Sequence, residues 1–287
     1  MNKDLCLVSA TDSKFFYQFQ QCLASIRQWQ LPYSTDFKVL AIGLDPEQIA
    51  WLSAEGLQVV TDLSIFPRFA SGPEHYVAMT CRPYIPDVFP GYRGYIWIDS
   101  DIRFLLPEGL RFYADHMLNQ DKSIVICHET EPAYSFNSDP NWCVIYHQST
   151  YRRISEEFGA EIAAHFQYYN MHNAGLFAAR ADSPIWARYK RNLEISMKAG
   201  PHWGREQDAM NVSLIEVGNV LQAPTTHNWL CGYSTPSWNA GISAWVSPNE
   251  PNRKIAVAHL TNSNKVVTVN NQSMSMYDYY KTIGLTK

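Results

Sequence analysis

The sequence predicts an α/β fold with a mostly parallel sheet and helices on both faces. Short apolar runs rich in β-branched residues alternate with segments of helical periodicity through the first sixty residues, a pattern typical of strands joined by crossover helices. The chain has 287 residues, of which 46% are hydrophobic and 17% charged, so it can bury a large core. Ligands of such sheets bind beyond the carboxyl ends of the strands.

The elements of the first half follow from local patterns. They are a strand at 4–10, a helix at 14–29, a strand at 37–44, a helix from 45, a strand at 57–61, a helical segment at 76–88 and a strand at 95–98. Asp45 followed by Pro46 is a typical helix start, and Pro83 and Pro86 interrupt the helical segment. No GxGxxG follows the first strand, so the usual dinucleotide fingerprint is missing.

For the second half of the chain, the sequence predicts a less regular succession of strands and helices. They are a strand at 124–127, a polar and aromatic loop at 129–146, a helix at 154–166, a strand at 174–179, helices at 184–197 and 207–216, and short strands and loops from 217 onward. The apolar run at 255–258 stands directly before His259. Because no internal repeat or linker divides the chain, the sequence predicts a single domain that covers residues 1–287.

Charge and hydropathy limit the function classes. The chain has 23 basic against 27 acidic side chains and no basic run, which excludes the electrostatic footprint of a nucleic-acid binder. Any anionic ligand must therefore meet a few placed cations or a metal. No secretory or membrane-spanning segment is predicted, so we expect a cytoplasmic protein with reduced cysteines. Peripheral membrane contact stays open, although the tail after Asn270 has only two lysines.

Two aspartates follow the apolar strand at 95–98. Asp99 and Asp101 are two residues apart, so both carboxylates can face one cation at the carboxyl edge of the sheet. Carboxylate oxygens suit Mg²⁺ or Mn²⁺, which complete their shells with phosphate oxygens and water. The pattern therefore predicts a metal site that holds a diphosphate. The alternative is a strand-end turn without a metal.

His259 is the candidate third ligand, since it too follows an apolar run. An imidazole added to two carboxylates favours Mn²⁺ over Mg²⁺. Lys265 stands six residues later in an otherwise neutral loop, from which it could reach a phosphate. The plainer interpretations are a hydrogen-bonded structural histidine and a solvated surface lysine.

Six short motifs stand in order along the chain. They are Ser9-Ala10-Thr11-Asp12, Arg82 ahead of Asp99-Ser100-Asp101, Asn173-Ala174-Gly175, Glu206-Gln207-Asp208-Ala209-Met210-Asn211, His227-Asn228-Trp229, and His259 with Lys265. Together they resemble glycosyltransferase family 8, the retaining, metal-dependent GT-A enzymes that use nucleotide sugars. The resemblance covers roughly residues 4–265. It implies a GT-A-type, Rossmann-like mixed sheet, with a nucleotide-binding half at 1–122 and an acceptor-binding half at 123–287.

The resemblance also implies roles for individual residues. Those implied to bind the nucleotide and donor sugar are Ala10, Thr11, Asp12, Arg82, Asp99, Ser100, Asp101, Asn173, Ala174, Gly175 and Lys265. Asp99, Asp101 and His259 are implied to bind the metal. Gln207 takes the place of the family's catalytic candidate, flanked by Asp208 and by Glu206, where the family has Asp. Asn228 and Trp229 fall in the segment before the acceptor side.

The predicted reaction is sugar transfer from a nucleotide sugar, a uridine diphosphate sugar, to a hydroxyl of a glycan or glycolipid, with Mn²⁺ or Mg²⁺ and with retention. An amide is a poor nucleophile, so same-face attack by the acceptor is favoured over a covalent intermediate on Gln207. The aromatic residues in predicted loops of the second half, where an acceptor could stack, are Trp142, Tyr146, Trp229, Tyr233 and Trp238. These rings could equally pack the loops onto the sheet.

Two other functions compete with this prediction. A sugar-phosphate nucleotidyltransferase also uses paired aspartates and a metal, but it normally has a glycine-rich basic loop after its first strand, and residues 9–14 contain no glycine. A non-catalytic protein that binds glycans or nucleotide sugars would keep the fold without turnover. The joint presence of Asp99, Asp101, His259 and Lys265 argues against such a loss.

Overall fold

The computed structural model describes residues 3–167, 169–261, 266–269 and 272–285. The elements up to residue 119 are β1 (Lys3–Asp12), α1 (Phe16–Arg27), β2 (Thr35–Ile42), α2 (Pro46–Ala54), β3 (Gln58–Val60), α3 (Val77–Thr80), α4 (Ile85–Val88), β4 (Tyr92–Ile98), β5 (Ile102–Phe104) and α5 (Pro107–Asn119). The later elements are β6 (Ile124–His128), α6 (Ser135–Ser138), α7 (Pro140–Phe158), α8 (Ala160–Ala164), β7 (His172–Arg180), α9 (Ile185–Met197), α10 (Arg205–Val217), β8 (Val220–Ala223), β9 (Trp229–Leu230), β10 (Ser237–Asn239), β11 (Ala244–Ser247), β12 (Glu250–Lys254), β13 (Val257–His259), β14 (Val266–Val269), β15 (Gln272–Ser275) and α11 (Met276–Thr282).

A seven-stranded sheet in the order β3-β2-β1-β4-β7-β6-β8 forms the centre of the fold. β7 runs antiparallel to both of its neighbours, β4 and β6, and the other neighbouring pairs are parallel. The mostly parallel mixed sheet that the sequence predicts is therefore confirmed. Strands β6, β7 and β8, from the second half of the chain, extend the sheet that the first half begins.

Helices cover both faces of this sheet. Along β1, the side chains of Cys6 and Val8 point to the face covered by α9 and α10. Leu5 and Leu7 point to the opposite face, which α5 covers together with part of α1. This alternation is the two-residue period of a strand that is buried on both sides.

Local signals explain where two of the predicted helices begin and break. Asp45 caps α2 in a reciprocal capping box with Gln48, and Pro46 occupies the first turn. The segment containing Pro83 and Pro86 forms two four-residue helices, α3 and α4, joined by a single turn of 3₁₀ helix. Both features match the sequence prediction.

The predicted loop at 129–146 is wrong in its second part, because α7 already begins at Pro140. Asp139 caps this helix, since its carboxylate accepts a hydrogen bond from the Asn141 backbone N–H at 2.9 Å. Trp142 and Ile145 are exposed, so the first turns of α7 lack the buried apolar stripe that would have revealed a helix. Gly159, at a φ of 87°, ends α7 before α8 starts.

Two small sheets lie beside the central one. β13 runs antiparallel to β5 and parallel to β9, and this three-stranded sheet brings residue 259 close to the end of β4. β10, β11 and β12 form a second three-stranded sheet. Among the residues described above, no helix has the length and apolar character needed to cross a bilayer.

Candidate active site

Asp99 and Asp101 lie in the turn between β4 and β5. Because the buried strand β4 ends at the carboxyl edge of the sheet, both aspartates lie at that edge. The backbone N–H of Asp99 donates to the carbonyl of Gly175 at 2.8 Å, and the carbonyl of Asp101 accepts from the N–H of Leu260 at 3.0 Å. The turn is thus fixed from both sides, by β7 and by the end of β13.

His259 completes a three-residue cluster with these aspartates. Its Nε2 lies 3.1 Å from Oδ1 of Asp101 and 3.9 Å from Oδ2 of Asp99. One ligand atom from each of the three residues lies within 4.8 Å of the other two. Two carboxylates and one imidazole suit Mn²⁺ and also Mg²⁺, so the donor set fits the divalent cation that the sequence predicts.

A chain of amides orients the His259 ring. Nδ1 of His259 is 3.1 Å from Oδ1 of Asn228, and Nδ2 of Asn228 donates to Oδ1 of Asn173 at 3.1 Å. The Asn228 oxygen therefore faces the imidazole, so Nδ1 carries the proton and Nε2 faces the two aspartates. Fixing the tautomer through the second ring nitrogen is how proteins prepare a histidine to ligate a metal.

Gly175 leaves the space in which the cluster sits. A Cβ atom at this position would come within 2.4 Å of Cε1 of His259 and 2.6 Å of Oδ2 of Asp99. Only a residue without a side chain is compatible with this arrangement. The glycine of the Asn-Ala-Gly motif therefore has a steric role at the candidate metal ligands.

The electrostatics of the cluster fit a site built for a cation. Burial raises the pKa of Asp99 above its usual value, although Arg82 and His259 oppose the shift. Burial also opposes ionisation of Asp101, but the His259 imidazole outweighs it and holds the pKa of Asp101 below its usual value. The pKa of His259 is raised, because Asp101 outweighs the effect of burial. A divalent cation at this cluster would therefore compete with a proton on His259.

Arg82 bridges two carboxylates behind the cluster. Its Nη2 donates to Oδ1 of Asp99 and its Nη1 to Oε2 of Glu206, each at 2.7 Å, and the guanidinium lies over the Trp97 ring, 4.9 Å from its centroid. One cation therefore pairs with two acids, the partly exposed Asp99 and the buried Glu206. Burial raises the pKa of Glu206 to about 8, and its Oε1 is buried without a hydrogen-bond partner among the described residues.

The first cavity at this edge has a volume of about 270 Å³. Its lining includes seven of the predicted donor residues, which are Ala10, Thr11, Asp12, Arg82, Asp99, Ser100 and Asp101. Phe15 and His75, which the sequence analysis did not select, also line it. The cavity occupies the place where ligands of open α/β sheets bind.

A second cavity of about 430 Å³ lies on the other side of Asp101. It is lined by Asn173, Gln207 and Tyr233, to which the sequence analysis assigned sugar and acceptor contacts. Trp142 and Trp203 also line it and are 57% and 62% exposed. Asp101 is thus shared by both cavities and lies where they meet.

Glu129 is a central residue of the second cavity that sequence reasoning missed. Its Oε1 accepts hydrogen bonds from Nδ2 of Asn173 at 3.0 Å and from Nε2 of Gln207 at 3.1 Å. Its Oε2 accepts from the hydroxyl of Tyr146 at 2.9 Å. Glu129 directly follows the apolar strand β6, so the strand-end rule that selected Asp99 would also have selected it.

Asp208 reaches the second cavity only through Arg153. Asp208 is fully buried, and its two carboxylate oxygens accept from Nε and Nη2 of Arg153 at 2.8 and 2.9 Å. Arg153 comes from α7 and lines the cavity. No sequence pattern pairs residues 153 and 208, and the loop predicted at 129–146 concealed the start of the helix that carries Arg153.

Three further residues with predicted roles are buried in the structure, namely Trp229, Asn228 and Ala174. Trp229 is 0% exposed and packs with Tyr134 in a core cluster, so its ring offers no surface to an acceptor. Asn228 is also buried, and it holds His259 instead. Ala174 is buried within β7. Lys265 lies outside the described residues.

Comparison with known proteins gives fold similarity at low sequence identity. No family model and no curated protein matches the chain. The apo structure of the bifunctional glycosyltransferase WbbM matches with a TM-score of 0.62 at 15% identity, over 100% of this chain and 50% of WbbM. This chain therefore spans about half the length of WbbM.

Two further structures match over nearly the whole of both chains. The galactosyltransferase LgtC, solved with donor and acceptor sugar analogues, has a TM-score of 0.58 at 14% identity over 98% of this chain and 96% of LgtC. Mouse xyloside xylosyltransferase 1, in its apo form, has a TM-score of 0.55 at 13% identity over 89% and 97%. The chain shares the fold of these glycosyltransferases, which confirms the predicted GT-A-type fold.

Proposed function

We propose that this chain is a metal-dependent glycosyltransferase that moves a sugar from a nucleotide sugar to a hydroxyl of a saccharide acceptor with retention of configuration. The observation that carries the proposal is the position of Asp101, which lines both cavities and lies where they meet. A donor in one cavity and an acceptor in the other would meet beside the Asp99, Asp101 and His259 cluster. Residues 1–122 then supply the nucleotide site, and residues 123–287 supply most of the acceptor site.

The donor that we propose is a uridine diphosphate sugar. The chain is weakly acidic and has no basic surface run, so a diphosphate needs local positive charge. Asp99, Asp101 and His259 would hold Mn²⁺ or Mg²⁺, which when bound neutralises charge on the leaving diphosphate. Arg82 adds fixed positive charge on the same side, and we assign Lys265 to the phosphates as part of this proposal.

The chain's own residues then position the transferred sugar. Glu129 holds the amides of Asn173 and Gln207 on one wall of the second cavity, where Oε1 of Gln207 and the remaining N–H of each amide would bind sugar hydroxyls. Glu206 acts by holding Arg82, and Asp208 acts by holding Arg153 at the opposite wall. A pre-organised wall of this kind orients the reacting groups without reorganisation during the reaction.

In the transfer step that we propose, the acceptor oxygen attacks the anomeric carbon on the face that the nucleotide leaves. The bond from this carbon to the diphosphate oxygen breaks as the new bond forms, and the hydroxyl proton passes to the departing diphosphate. We favour this route because the Gln207 amide is a poor nucleophile and the Asp208 carboxylate is fully engaged by Arg153.

Aromatic side chains support a saccharide acceptor. Trp142, Trp203 and Tyr233 line the second cavity, and exposed indole rings are suited to packing against the apolar face of a sugar. LgtC, which shares the fold, was solved with an acceptor sugar analogue. A glycan or glycolipid that enters beside Trp142 and Trp203 would place its hydroxyl near Asp101.

A donor screen tests the proposal. The purified chain is incubated with Mn²⁺ and a panel of nucleotide sugars, and free nucleoside diphosphate is measured with and without a mixture of saccharide acceptors. We expect diphosphate release from a uridine diphosphate sugar, increased by the correct acceptor. Binding of a nucleotide sugar without release from any of them would replace this proposal with a non-catalytic binding function.

A further inference from the structure

Glu129 is a buried acid without a cationic partner among the described residues. It is 4% exposed and lines the second cavity. Five carboxylates are buried in the part of the chain that the structure describes, and each of the other four pairs with an arginine. These pairs are Glu131 with Arg253, Glu157 with Arg205, Glu206 with Arg82 and Asp208 with Arg153.

The hydrogen bonds to this carboxylate come from neutral groups. They are donated by the amides of Asn173 and Gln207 and by the hydroxyl of Tyr146. All three partners line the second cavity themselves, so the carboxylate lies in its wall. Arg153 also lines this cavity, but both oxygens of Asp208 engage it. Because a buried charge is normally balanced by an opposite one, the wall presents an uncompensated negative charge to a ligand.

Hydrogen bonds connect this wall to the candidate metal ligands. Oδ1 of Asn173, whose amide N–H donates to Glu129, accepts from the Gly175 backbone N–H at 3.0 Å. The Gly175 carbonyl in turn accepts from the backbone N–H of Asp99 at 2.8 Å. Asp101 lines the same cavity as Glu129. A sugar that enters this cavity from a diphosphate bound at Asp101 would therefore meet the wall that contains Glu129.

The charge on Glu129 is complementary to the charge of the transferred sugar during the reaction. As the bond from the anomeric carbon to the diphosphate oxygen breaks, positive charge develops on the anomeric carbon and the ring oxygen. A fixed anion in a site of low dielectric stabilises such a charge without reorganisation. We infer that Glu129 is a further catalytic residue, whose carboxylate contacts the transferred sugar and stabilises its positive charge in the transition state, a role that rests on the proposed function.

A cationic sugar analogue tests this role without turnover. Calorimetry in Mn²⁺ and uridine diphosphate compares a protonated iminosugar with the neutral 1,5-anhydrosugar of the same configuration, in the gluco and galacto series. In at least one series we expect the full chain to bind the iminosugar about tenfold more tightly or better, since a hydrogen bond to a charged group contributes on the order of that factor. Equal affinities, or no iminosugar binding in either series, would overturn the inference. An equal preference for D-glucosamine over D-glucose would also overturn it, because Glu129 would then serve an amino group of a substrate.

Glu129→Gln locates the effect. The new amide oxygen can still accept from Asn173 and Gln207, and the new N–H can donate to the hydroxyl oxygen of Tyr146, so the wall is kept while the charge is lost. We expect the preference for the iminosugar to disappear and kcat to fall about a hundredfold or more, with little change in the donor KM. Glu161→Gln, at an exposed position, is the matched control and should behave as wild type. An unchanged iminosugar preference in folded Glu129→Gln would refute the role of Glu129.

Failure of the proposed function gives a different result, which is diphosphate release from no donor. Release by the wild-type chain with an undiminished kcat in Glu129→Gln would leave the proposed function intact and remove only the role of Glu129. The iminosugar comparison in the wild-type chain needs no variant, so it stands even where Glu129→Gln folds poorly.

Discussion

The Nδ1 atom of His259 lies 3.1 Å from Oδ1 of Asn228, and this contact decides which ring nitrogen faces Asp99 and Asp101. Asn228 is itself oriented by Asn173, whose other end binds Glu129. A continuous set of hydrogen bonds therefore runs from the wall of the second cavity to the metal ligands. The proposed cation site and the proposed sugar site therefore share one set of hydrogen bonds.

Loss of the Asn228 amide should lower the affinity for Mn²⁺ without removing any of the candidate metal ligands. In Asn228→Ala, His259 has no acceptor for Nδ1–H, so its ring is less well oriented. We expect Mn²⁺ affinity to fall about 10- to 100-fold, as is typical when a ligand's hydrogen-bond partner is removed. Mn²⁺ titration followed by calorimetry measures this, and exposed Asn119→Ala is the matched control. An unchanged Mn²⁺ affinity in a folded variant would contradict the role of Asn228.

Gly175→Ala should damage the same cluster by steric conflict. The added methyl group would approach both His259 and Asp99 within 2.6 Å or less, so at least one ligand must move. We expect loss of metal-dependent donor binding while circular dichroism stays close to wild type. Gly241→Ala serves as the control, because the nearest atom to its Cβ is 3.3 Å away and belongs to the half-buried side-chain amide of Asn239. Retention of wild-type Mn²⁺ binding by Gly175→Ala would be incompatible with the cluster described here.

Glu206 should make stability depend on pH. Burial raises its pKa to about 8 from an ordinary value of 4.5, so the folded chain holds this proton more tightly than the unfolded chain. The free energy of unfolding should then fall as the pH rises from about 4.5 to about 8. Glu206→Gln keeps an acceptor for Arg82 and removes the titration. We expect the melting temperature of Glu206→Gln minus that of wild type to be larger at pH 8 than at pH 5.5.

The comparison isolates Glu206 although burial also raises the pKa of Glu157 to about 8, because Glu157 is present in both proteins. Scanning calorimetry in EDTA measures the difference, at roughly 2–4 °C for each kcal/mol. A melting-temperature difference that is the same at both pH values would show that Glu206 is ionised throughout this range.

Substitution of the tryptophans that line the second cavity should raise the acceptor KM and leave donor hydrolysis unchanged. Trp142→Ala and Trp203→Ala remove exposed rings that line this cavity. We expect the acceptor KM to rise about 5- to 30-fold for each, since an aromatic contact contributes on the order of 1–2 kcal/mol. Donor hydrolysis without acceptor should stay unchanged. Trp238→Ala, a similarly exposed ring elsewhere, should leave the acceptor KM unaltered, and a rise of equal size there would argue against a specific acceptor surface.

The fold and the metal cluster were predictable from the sequence because their signals are local. The strand that ends at Asp12 and the strand that ends just before Asp99 are apolar runs followed by polar residues. Parallel strands bring such ends to one edge. His259 follows the same rule, although its strand belongs to a small separate sheet. This rule identified the three residues of the cluster, although it was not applied to Glu129, which follows β6.

The walls of the second cavity were harder to predict. Arg153 and Trp142 lie on α7, whose first turns expose apolar residues and so lack a buried stripe. The pairing of Arg153 with Asp208 depends on contact between two helices 55 residues apart in sequence, which no local pattern reports. Trp229 was assigned to the acceptor because its neighbours resemble a motif, but burial is a property of the packed fold, and its ring lies in the core.

Calorimetry of uridine diphosphate binding, in Mn²⁺ and in EDTA, tests the central claim most directly. For the wild-type chain we predict binding in Mn²⁺ that weakens about a hundredfold or more in EDTA, which is about 2.7 kcal/mol of binding free energy. Asp101→Asn should remove this difference, whereas the exposed Asp121→Asn should preserve it. The same uridine diphosphate affinity in EDTA as in Mn²⁺ would contradict a metal site at Asp99, Asp101 and His259.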